Sequence, residues 1–204
     1  MKAKLATIVL TATGATVALA TPALADTFVG TTGDDVIVGT PQRDSIRGLA
    51  GADTLLGRSG NDAIRGNPGR DEIYGANGHD FLLGDRGNDV VFGGNLSDEV
   101  TGGDGDDILI GGRGPDYVLD YPAGEFFDSP NDPDRLFGRA GADHLTPLDG
   151  ADRVWGQNGN DAIRLKRDGF RDVLRCGPGE DRVTYFSPRD RHDVLIGCEH
   201  VVVR

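Results

Sequence analysis

Apolar residues recur along this chain every nine residues, in a sequence that is otherwise polar and rich in glycine. Written from Gly30 in successive nonapeptides, the chain has an aliphatic or aromatic residue at the eighth position of all fifteen. These residues are Ile37, Ile46, Leu55, Ile64, Ile73, Leu82, Val91, Val100, Leu109, Val118, Phe127, Leu136, Leu145, Val154 and Ile163. A nine-residue period fits neither an α-helix nor a long alternating strand. It predicts a three-residue strand over positions seven to nine, with the central side chain buried and its neighbours exposed.

The remaining six positions predict a turn. Glycine occupies the first position in twelve nonapeptides and the fourth in eleven, and glycine permits positive φ and close backbone approach. Two nonapeptides then form one coil of eighteen residues, so the fifteen nonapeptides predict an all-β parallel β-roll or β-helix solenoid. It would contain about seven and a half coils and be roughly 35 Å long. The segment from Asp120 to Pro133 keeps the spacing as two degenerate nonapeptides, in which Glu125 and Phe127 replace the usual residues.

The sixth position carries a carboxylate in every nonapeptide, with Glu125 in the eleventh. We identify the other members as candidate metal ligands: Asp35, Asp44, Asp53, Asp62, Asp71, Asp80, Asp89, Asp98, Asp107, Asp116, Asp134, Asp143, Asp152 and Asp161. Stacked coils would bring these like charges together, which opposes compaction unless a cation is bound. Calcium suits carboxylates and turn carbonyls because it takes about six to eight oxygen ligands. A core of one apolar residue per nonapeptide is thin, so several Ca²⁺ ions are expected to stabilise the folded state. The alternative is a metal-free solenoid in which the aspartates form Asx-turns.

The pattern resembles the haemolysin-type calcium-binding repeat, the RTX nonapeptide Gly-Gly-x-Gly-x-Asp-x-aliphatic-x, which builds a parallel β-roll. The best copies are residues 102–110 and 111–119, and the resemblance covers residues 30–164. It implies calcium between a turn and the turn one coil away, held by aspartate carboxylates and backbone carbonyls. The second glycine of the family pattern is present only at Gly94, Gly103 and Gly112.

The register also predicts which carboxylates stack. If odd nonapeptides share one face and even nonapeptides the other, turns with glycine at positions one and four form five intact pairs on the odd face. These are Asp35 with Asp53, Asp53 with Asp71, Asp71 with Asp89, Asp89 with Asp107, and Asp143 with Asp161. Only Asp62 with Asp80 is intact on the even face, so the two faces are expected to bind calcium unequally.

The two ends of the chain differ from the middle. Lys2 and Lys4 precede an uncharged stretch that ends in Ala23-Leu24-Ala25, which predicts a signal peptide over residues 1–25, cleavage after Ala25 and a secreted protein. The alternative is a retained interfacial helix. Residues 165–204 lose the strict spacing and predict degenerate repeats that form a C-terminal cap after the roll of residues 26–164. Cys176 and Cys198 are the only cysteines, and in an exported protein they are expected to form a disulfide rather than a metal or catalytic pair.

Composition narrows the function. The formal net charge of −12 argues against nucleic-acid binding, and no segment suits a polytopic membrane protein. The histidines are His79, His144, His192 and His200; they form no His-Glu-x-x-His zinc motif, and we expect them on the surface. We therefore expect a secreted, extracellular, non-enzymatic calcium-binding protein with no catalytic residues. The alternatives are a calcium-dependent adhesin or extracellular matrix protein that binds a cell surface or polysaccharide, and an enzyme acting on an extracellular polysaccharide. The sequence leaves the oligomeric state open.

Overall fold

The computed structural model describes residues 25–121, 132–186 and 190–204. The predicted signal peptide, apart from Ala25, lies outside these residues, as do Glu125 and Phe127. All regular secondary structure in the described part of the chain is β-strand. This confirms the prediction of an all-β fold.

The strands form two parallel sheets. The strands are β1 (Thr27–Val29), β2 (Val36–Val38), β3 (Ser45–Arg47), β4 (Thr54–Ser59), β5 (Ala63–Pro68), β6 (Glu72–Asn77), β7 (Phe81–Arg86), β8 (Val90–Asn95), β9 (Glu99–Asp104), β10 (Ile108–Arg113), β11 (Tyr117–Leu119), β12 (Arg135–Ala140), β13 (His144–Thr146), β14 (Arg153–Asn158), β15 (Ala162–Leu165), β16 (Val173–Arg175), β17 (Arg182–Tyr185), β18 (Val194–Ile196) and β19 (His200–Val203). The odd-numbered strands form a ten-stranded sheet in chain order, and the even-numbered strands form a nine-stranded sheet. The chain therefore alternates between the sheets, as a parallel β-solenoid requires.

The register of neighbouring strands confirms the eighteen-residue coil. Val36 pairs with Thr54, and Ser45 pairs with Ala63. The prediction of seven and a half coils was wrong, because β1 precedes Gly30 and β16 to β19 follow the last regular nonapeptide. At about 4.8 Å per coil, the ten-stranded sheet is roughly 43 Å long.

The core is a single stack of side chains between the sheets. Every described eighth-position residue is buried, and the most exposed of them, Ile37, is 5% accessible. The stack begins with Phe28 in β1 and continues to Val183 in β17. Each coil contributes only two such residues, so the apolar core of a single coil is small.

Many strands are longer than the three residues predicted. β4 contains six residues, because the chain continues beyond Leu56 through Gly57, Arg58 and Ser59. Residues of β4 alternate between inward and outward positions, and Gly57 takes the inward position after Leu55. Because glycine lacks a Cβ, it fits there where the two sheets approach each other. Arg58 adopts a φ of 83°, yet Arg58 and Ser59 still pair with Ala76 and Asn77 of β6 in the same sheet. Positions one to three were wrongly assigned to the turn.

The described strands on either side of residues 122–131 do not keep the predicted offset of 18 residues. Ile108 in β10 pairs with Arg135 in β12, and Tyr117 in β11 pairs with His144 in β13, so both offsets are 27 residues instead of 18. The chain between β11 and β12 thus contains a nine-residue insertion. An insertion as long as one repeat keeps the spacing of the sequence intact, although every later nonapeptide moves to the opposite sheet.

Residues 165–204 continue both sheets through β16 to β19. The offsets between neighbouring strands lengthen, so that Arg153 pairs with Val173 and Val173 pairs with Val194. Cys176 and Cys198 form the predicted disulfide, with their Cα atoms 5.2 Å apart. A separate capping role for this segment remains a prediction. Among the described residues, no helix could serve as a membrane span.

Candidate metal centres

An aspartate ends nearly every turn and lies directly before a strand. Within the regular repeats these side chains are at most 3% accessible. The first file leads into the nine-stranded sheet and contains Asp35, Asp53, Asp71, Asp89, Asp107, Asp134, Asp152, Asp172 and Asp193. The second file leads into the ten-stranded sheet and contains Asp44, Asp62, Asp80, Asp98, Asp116, Asp143, Asp161 and Asp181. All fourteen predicted ligands thus lie in two files of buried carboxylates.

Hydrogen bonds connect each carboxylate to the coil before it. The backbone N–H of Asp35 donates to Asp53 Oδ1 at 2.8 Å, and the N–H of Asp89 donates to Asp107 Oδ1 at 2.8 Å. The same contact continues along both files, including across the insertion, where the N–H of Asp107 donates to Asp134 Oδ1 at 2.7 Å. One oxygen of each carboxylate therefore holds adjacent coils together.

The second oxygen of most of these carboxylates is buried without a hydrogen-bond partner. The atoms concerned are the Oδ2 atoms of Asp53, Asp62, Asp71, Asp80, Asp89, Asp98, Asp107, Asp116, Asp134, Asp143, Asp152, Asp161 and Asp181. A buried ionised oxygen without a partner is costly in free energy. Such a repeated set of buried, unpartnered acceptors fits a series of cation ligands.

The first carboxylate of each file is different. Asp35 Oδ2 accepts hydrogen bonds from the N–H and hydroxyl of Thr31, and Asp44 Oδ2 accepts them from the N–H and hydroxyl of Thr40. The N–H of Thr40 lies 2.6 Å from Asp44 Oδ2. At the N-terminal end, protein donors therefore satisfy the oxygen that is unpartnered in later coils.

The first-position glycine forms a cradle for the unpartnered oxygen. A Cβ on Gly84 would overlap Asp89 Oδ2 and would lie 2.7 Å from the carbonyl oxygen of Gly102 in the next coil. The same arrangement recurs at Gly57, beside Asp62 Oδ2 and 2.9 Å from the Gly75 oxygen. Glycine at this position thus leaves room between coils where a carboxylate oxygen and a backbone carbonyl oxygen approach the same point.

Burial changes the acidity of the carboxylates. The pKa of Asp62, Asp71 and Asp89 rises from 3.8 to about 7 in each case, mainly because of burial and partly because of neighbouring carboxylates. Asp107 is affected more strongly, and burial raises its pKa to about 9. Without a cation, the groups with a pKa of about 7 would be about half protonated at neutral pH, and Asp107 would favour the protonated form.

The donor set fits a hard cation. Among the described residues, no group of three or more His, Cys, Asp or Glu side chains is placed to hold a metal ion by itself. A cation between coils would therefore take most of its ligands from backbone carbonyls, with carboxylates completing the set. Calcium accepts such all-oxygen sites with flexible geometry, whereas zinc favours nitrogen and sulfur ligands.

The insertion corrects the predicted assignment of turns to faces. Asp143 and Asp161 lie in the second file, and the N–H of Asp116 donates to Asp143 Oδ1 at 2.9 Å. Intact glycine-bearing turns now form four stacked pairs in the first file and three in the second, counted from glycines at positions one and four. The predicted ratio of five intact pairs on one face to one on the other was wrong. It therefore no longer supports the prediction that the two faces bind calcium unequally.

The files also include carboxylates that the nonapeptide spacing did not identify. Asp172 and Asp181 are buried members, 20 residues after Asp152 and Asp161 respectively. Asp193 extends the first file, and Glu199 accepts a hydrogen bond from the N–H of Asp181 at 3.0 Å. The signal was present as a carboxylate two residues before an aliphatic residue, but the coils that lead to Asp172, Asp181 and Asp193 contain two or three additional residues.

Position two of the nonapeptide adopts a positive φ at most of the described positions that lack glycine, although Thr31, Thr40 and Leu148 do not. Ala76 has a φ of 82°, and the equivalent Gly94 and Gly112 have φ values of 129° and 127°. A left-handed conformation costs a residue with a Cβ about 1 to 2 kcal/mol.

Replacement of Ala76 with glycine is therefore expected to stabilise the calcium-loaded fold by about 1 kcal/mol. Urea unfolding at saturating calcium would measure the change, with an unaltered m-value. Ala63→Gly is the matched control, because Ala63 lies in β5 without positive φ and should lose about 0.5 to 1 kcal/mol. Equal destabilisation by both substitutions would contradict the strain at Ala76.

Comparison with protein families agrees with this geometry. The model of the RTX calcium-binding nonapeptide repeat matches the chain in four copies, at residues 29–64, 56–91, 83–118 and 131–163. These segments together include more than half of the chain, and the gap between the last two includes the insertion. A comparison with curated proteins found no match.

Proposed function

Because this chain belongs to the RTX calcium-binding nonapeptide repeat family, we propose that it is a secreted, non-enzymatic protein whose β-roll folds when several Ca²⁺ ions bind between stacked turns. The family assignment and the two parallel sheets make the chain a calcium-binding β-roll protein. The proposal adds which residues bind the calcium ions, that calcium binding drives folding, and that the protein is secreted. The observation that carries it is the set of thirteen buried, unpartnered Oδ2 atoms.

The proposed ligands are the carboxylates of the two files together with carbonyl oxygens of adjacent turns. The recurring cradle at Gly57 and Gly84 supports this assignment, because one carboxylate oxygen and one carbonyl oxygen of the next coil approach the same point. Asp35 and Asp44 are proposed as weaker ligands, since Thr31 and Thr40 already donate to their free oxygens. Asp172 and Asp181 are added to the proposed set.

Secretion is supported by the signal-peptide pattern of residues 1–25, and it suits metal-dependent folding. Cytosolic calcium is scarce, so the chain would remain unfolded before export and fold in the calcium-rich exterior. Cleavage after Ala25 would remove Lys2 and Lys4 and bring the net charge from −12 to −14. Calcium binding would then relieve the repulsion between the acidic coils.

A calcium titration followed by far-UV circular dichroism tests this function. We expect a cooperative gain of β signal that EDTA reverses and that magnesium does not reproduce, because Mg²⁺ requires tighter octahedral geometry. Full β structure in EDTA at neutral pH would overturn the coupling of folding to calcium.

Two adjacent isosteric substitutions locate the sites. Asp107→Asn places a buried amide nitrogen where a ligand oxygen is proposed, whereas Asp106→Asn removes the same charge from an exposed side chain. We expect the calcium midpoint to rise about tenfold or more for Asp107→Asn, the loss expected for one buried charged ligand. Asp106→Asn should leave the midpoint nearly unchanged. Equal midpoints for the two variants would contradict the proposed ligand role of the files.

A further inference from the structure

The outer surface of the nine-stranded sheet carries an unbroken ladder of apolar side chains. Its members, one from each strand from β2 to β14, are Val38, Leu56, Tyr74, Phe92, Ile110, Phe137 and Trp155. The rings of Tyr74 and Phe92 stack with centroids 4.8 Å apart, and those of Phe137 and Trp155 stack at 4.4 Å. In each of these two pairs the ring faces contact each other along the solenoid axis. The ring edges point outward, where a docking partner would contact them.

The repeat itself does not require this ladder. The equivalent positions on the ten-stranded sheet, from β1 to β13, are Val29, Arg47, Arg65, Leu83, Thr101, Leu119 and Thr146. Both sheets have the same backbone and the same buried stack, but only the nine-stranded sheet has an apolar residue at every ninth position from β2 to β14. Ile110 is buried and the other ladder residues are half-buried, so the ladder forms a narrow apolar strip of the kind that marks an interaction site.

The flanking seventh positions give this surface a charge polarity. They are Val36, Thr54, Glu72, Val90, Ile108, Arg135, Arg153 and Val173 in strand order. Arg175 follows Trp155 at the end of the ladder. The half formed by β2 to β8 thus has Glu72 and no Lys or Arg at these described positions, whereas the half formed by β12 to β16 has three arginines. We call the seventh and ninth positions of β2 to β16 the apolar face.

We propose that the apolar face is the interface of a homodimer, in which a second copy of the chain docks face to face with its solenoid axis reversed. The two-fold axis would lie between the two faces, parallel to the strands, and between β8 and β10. Glu72 then lies opposite Arg135 of the second copy, Tyr74 opposite Phe137, and Phe92 opposite Ile110. Each pair occurs twice, because the interface is isologous.

Charge selects this arrangement over the parallel one. If the two-fold axis ran along the solenoid, each strand would face its own copy, and the arginine-bearing halves would lie against each other. Like-charge contacts of this kind are strongly unfavourable. Reversal of the axis instead places the half with Arg135 and Arg153 over the half with Glu72. The apolar face contains only one acidic residue, so the high negative charge of the chain lies mainly elsewhere.

Sedimentation velocity at saturating calcium tests the proposal through a charge-swap cycle. We expect the unchanged protein to dimerise, and Glu72→Arg and Arg135→Glu each to raise the dimer dissociation constant at least about tenfold, because each change acts twice. The double variant should restore dimerisation. Glu99→Arg with Arg182→Glu, two exposed residues of the ten-stranded sheet, is the matched control and should have no effect. Circular dichroism checks that every variant is folded, which separates this test from the calcium proposal.

The unmodified protein offers a second measurement. Trp155 is the only tryptophan of the chain and lies opposite Leu56 in the proposed dimer. Its fluorescence should shift to the red on dilution, over the same concentration range in which sedimentation detects dissociation. A protein that remains monomeric at its highest soluble concentration would overturn the proposal, and so would a dimer whose dissociation leaves the Trp155 emission unchanged.

Discussion

Gly87→Ala is expected to abolish the calcium-induced gain of β structure at calcium concentrations that fold the unchanged protein. A Cβ at Gly87 would overlap the carbonyl oxygen of Gly69 in the preceding coil and lie 2.6 Å from its carbon. Neither backbone segment can move aside, because both are held by backbone hydrogen bonds of 2.8 Å. The N–H of Gly69 donates to the carbonyl oxygen of Arg86, and the N–H of Gly87 donates to the carbonyl oxygen of Asp104. Gly87 also has a φ of 128°. Overlap and strain together should cost about 3 kcal/mol or more.

Gly33→Ala is the control for this substitution. Gly33 occupies the same position four, but it belongs to the first coil of that file, and the nearest atom to a Cβ there is Thr31 Oγ1 at 3.9 Å. Its replacement should change stability by no more than about 0.5 kcal/mol. Calcium titrations of both variants by circular dichroism would make the comparison. Equal behaviour of the two variants would mean that close approach between coils does not explain this glycine column.

The period of nine residues was sufficient to predict the architecture, because the determinants of each coil are local. An aspartate two residues before an inward aliphatic side chain marks the start of each strand, as at Asp53 and Leu55. Glycine before the aspartate marks the turn. The same local signature recurs at Asp172 and Leu174, although the longer coil there removes it from the regular spacing.

The contacts between coils could not be predicted from the period alone. A nine-residue insertion leaves every aspartate in its expected column, so the sequence does not distinguish it from one more half-coil. Only pairing of Ile108 with Arg135 reveals that later nonapeptides have changed sheets. The loss of first-position glycine at Asp120 and Ser129 was the available signal, but degenerate repeats show the same loss. The unpartnered Oδ2 atoms likewise depend on how one coil packs on the next.

In EDTA, lowering the pH from about 8 to about 5 is expected to increase the β content of the chain, the reverse of ordinary acid denaturation. Burial raises the pKa of Asp71 and Asp116 to about 7, from 3.8. The folded state therefore binds protons more tightly than the unfolded state. The stability gained from this protonation is fully present below about pH 4 and is lost as the pH rises through about 7.

Calcium should reverse this pH dependence, because it binds the ionised carboxylates and competes with protons. We expect calcium to change the β signal strongly at about pH 8 and only weakly at about pH 5. Circular dichroism across this range, with calcium and with EDTA, makes the measurement. A β signal in EDTA that falls as the pH is lowered would contradict the raised pKa values of the files.

Asp107→Asn separates the two roles of a buried carboxylate, because its effect should change sign with calcium. Burial raises the pKa of Asp107 to about 9, so at neutral pH without calcium the folded protein has to protonate or desolvate this group. Asparagine keeps an oxygen for the N–H of Asp89, which lies 2.8 Å from Asp107 Oδ1, and carries no charge. In EDTA the variant should therefore be more stable than the unchanged protein, and its folding should depend less on pH. In calcium it should be less stable, because the proposed ligand oxygen is lost. Asp106→Asn should show neither effect, and destabilisation by Asp107→Asn under both conditions would mean that this carboxylate acts only as a turn former.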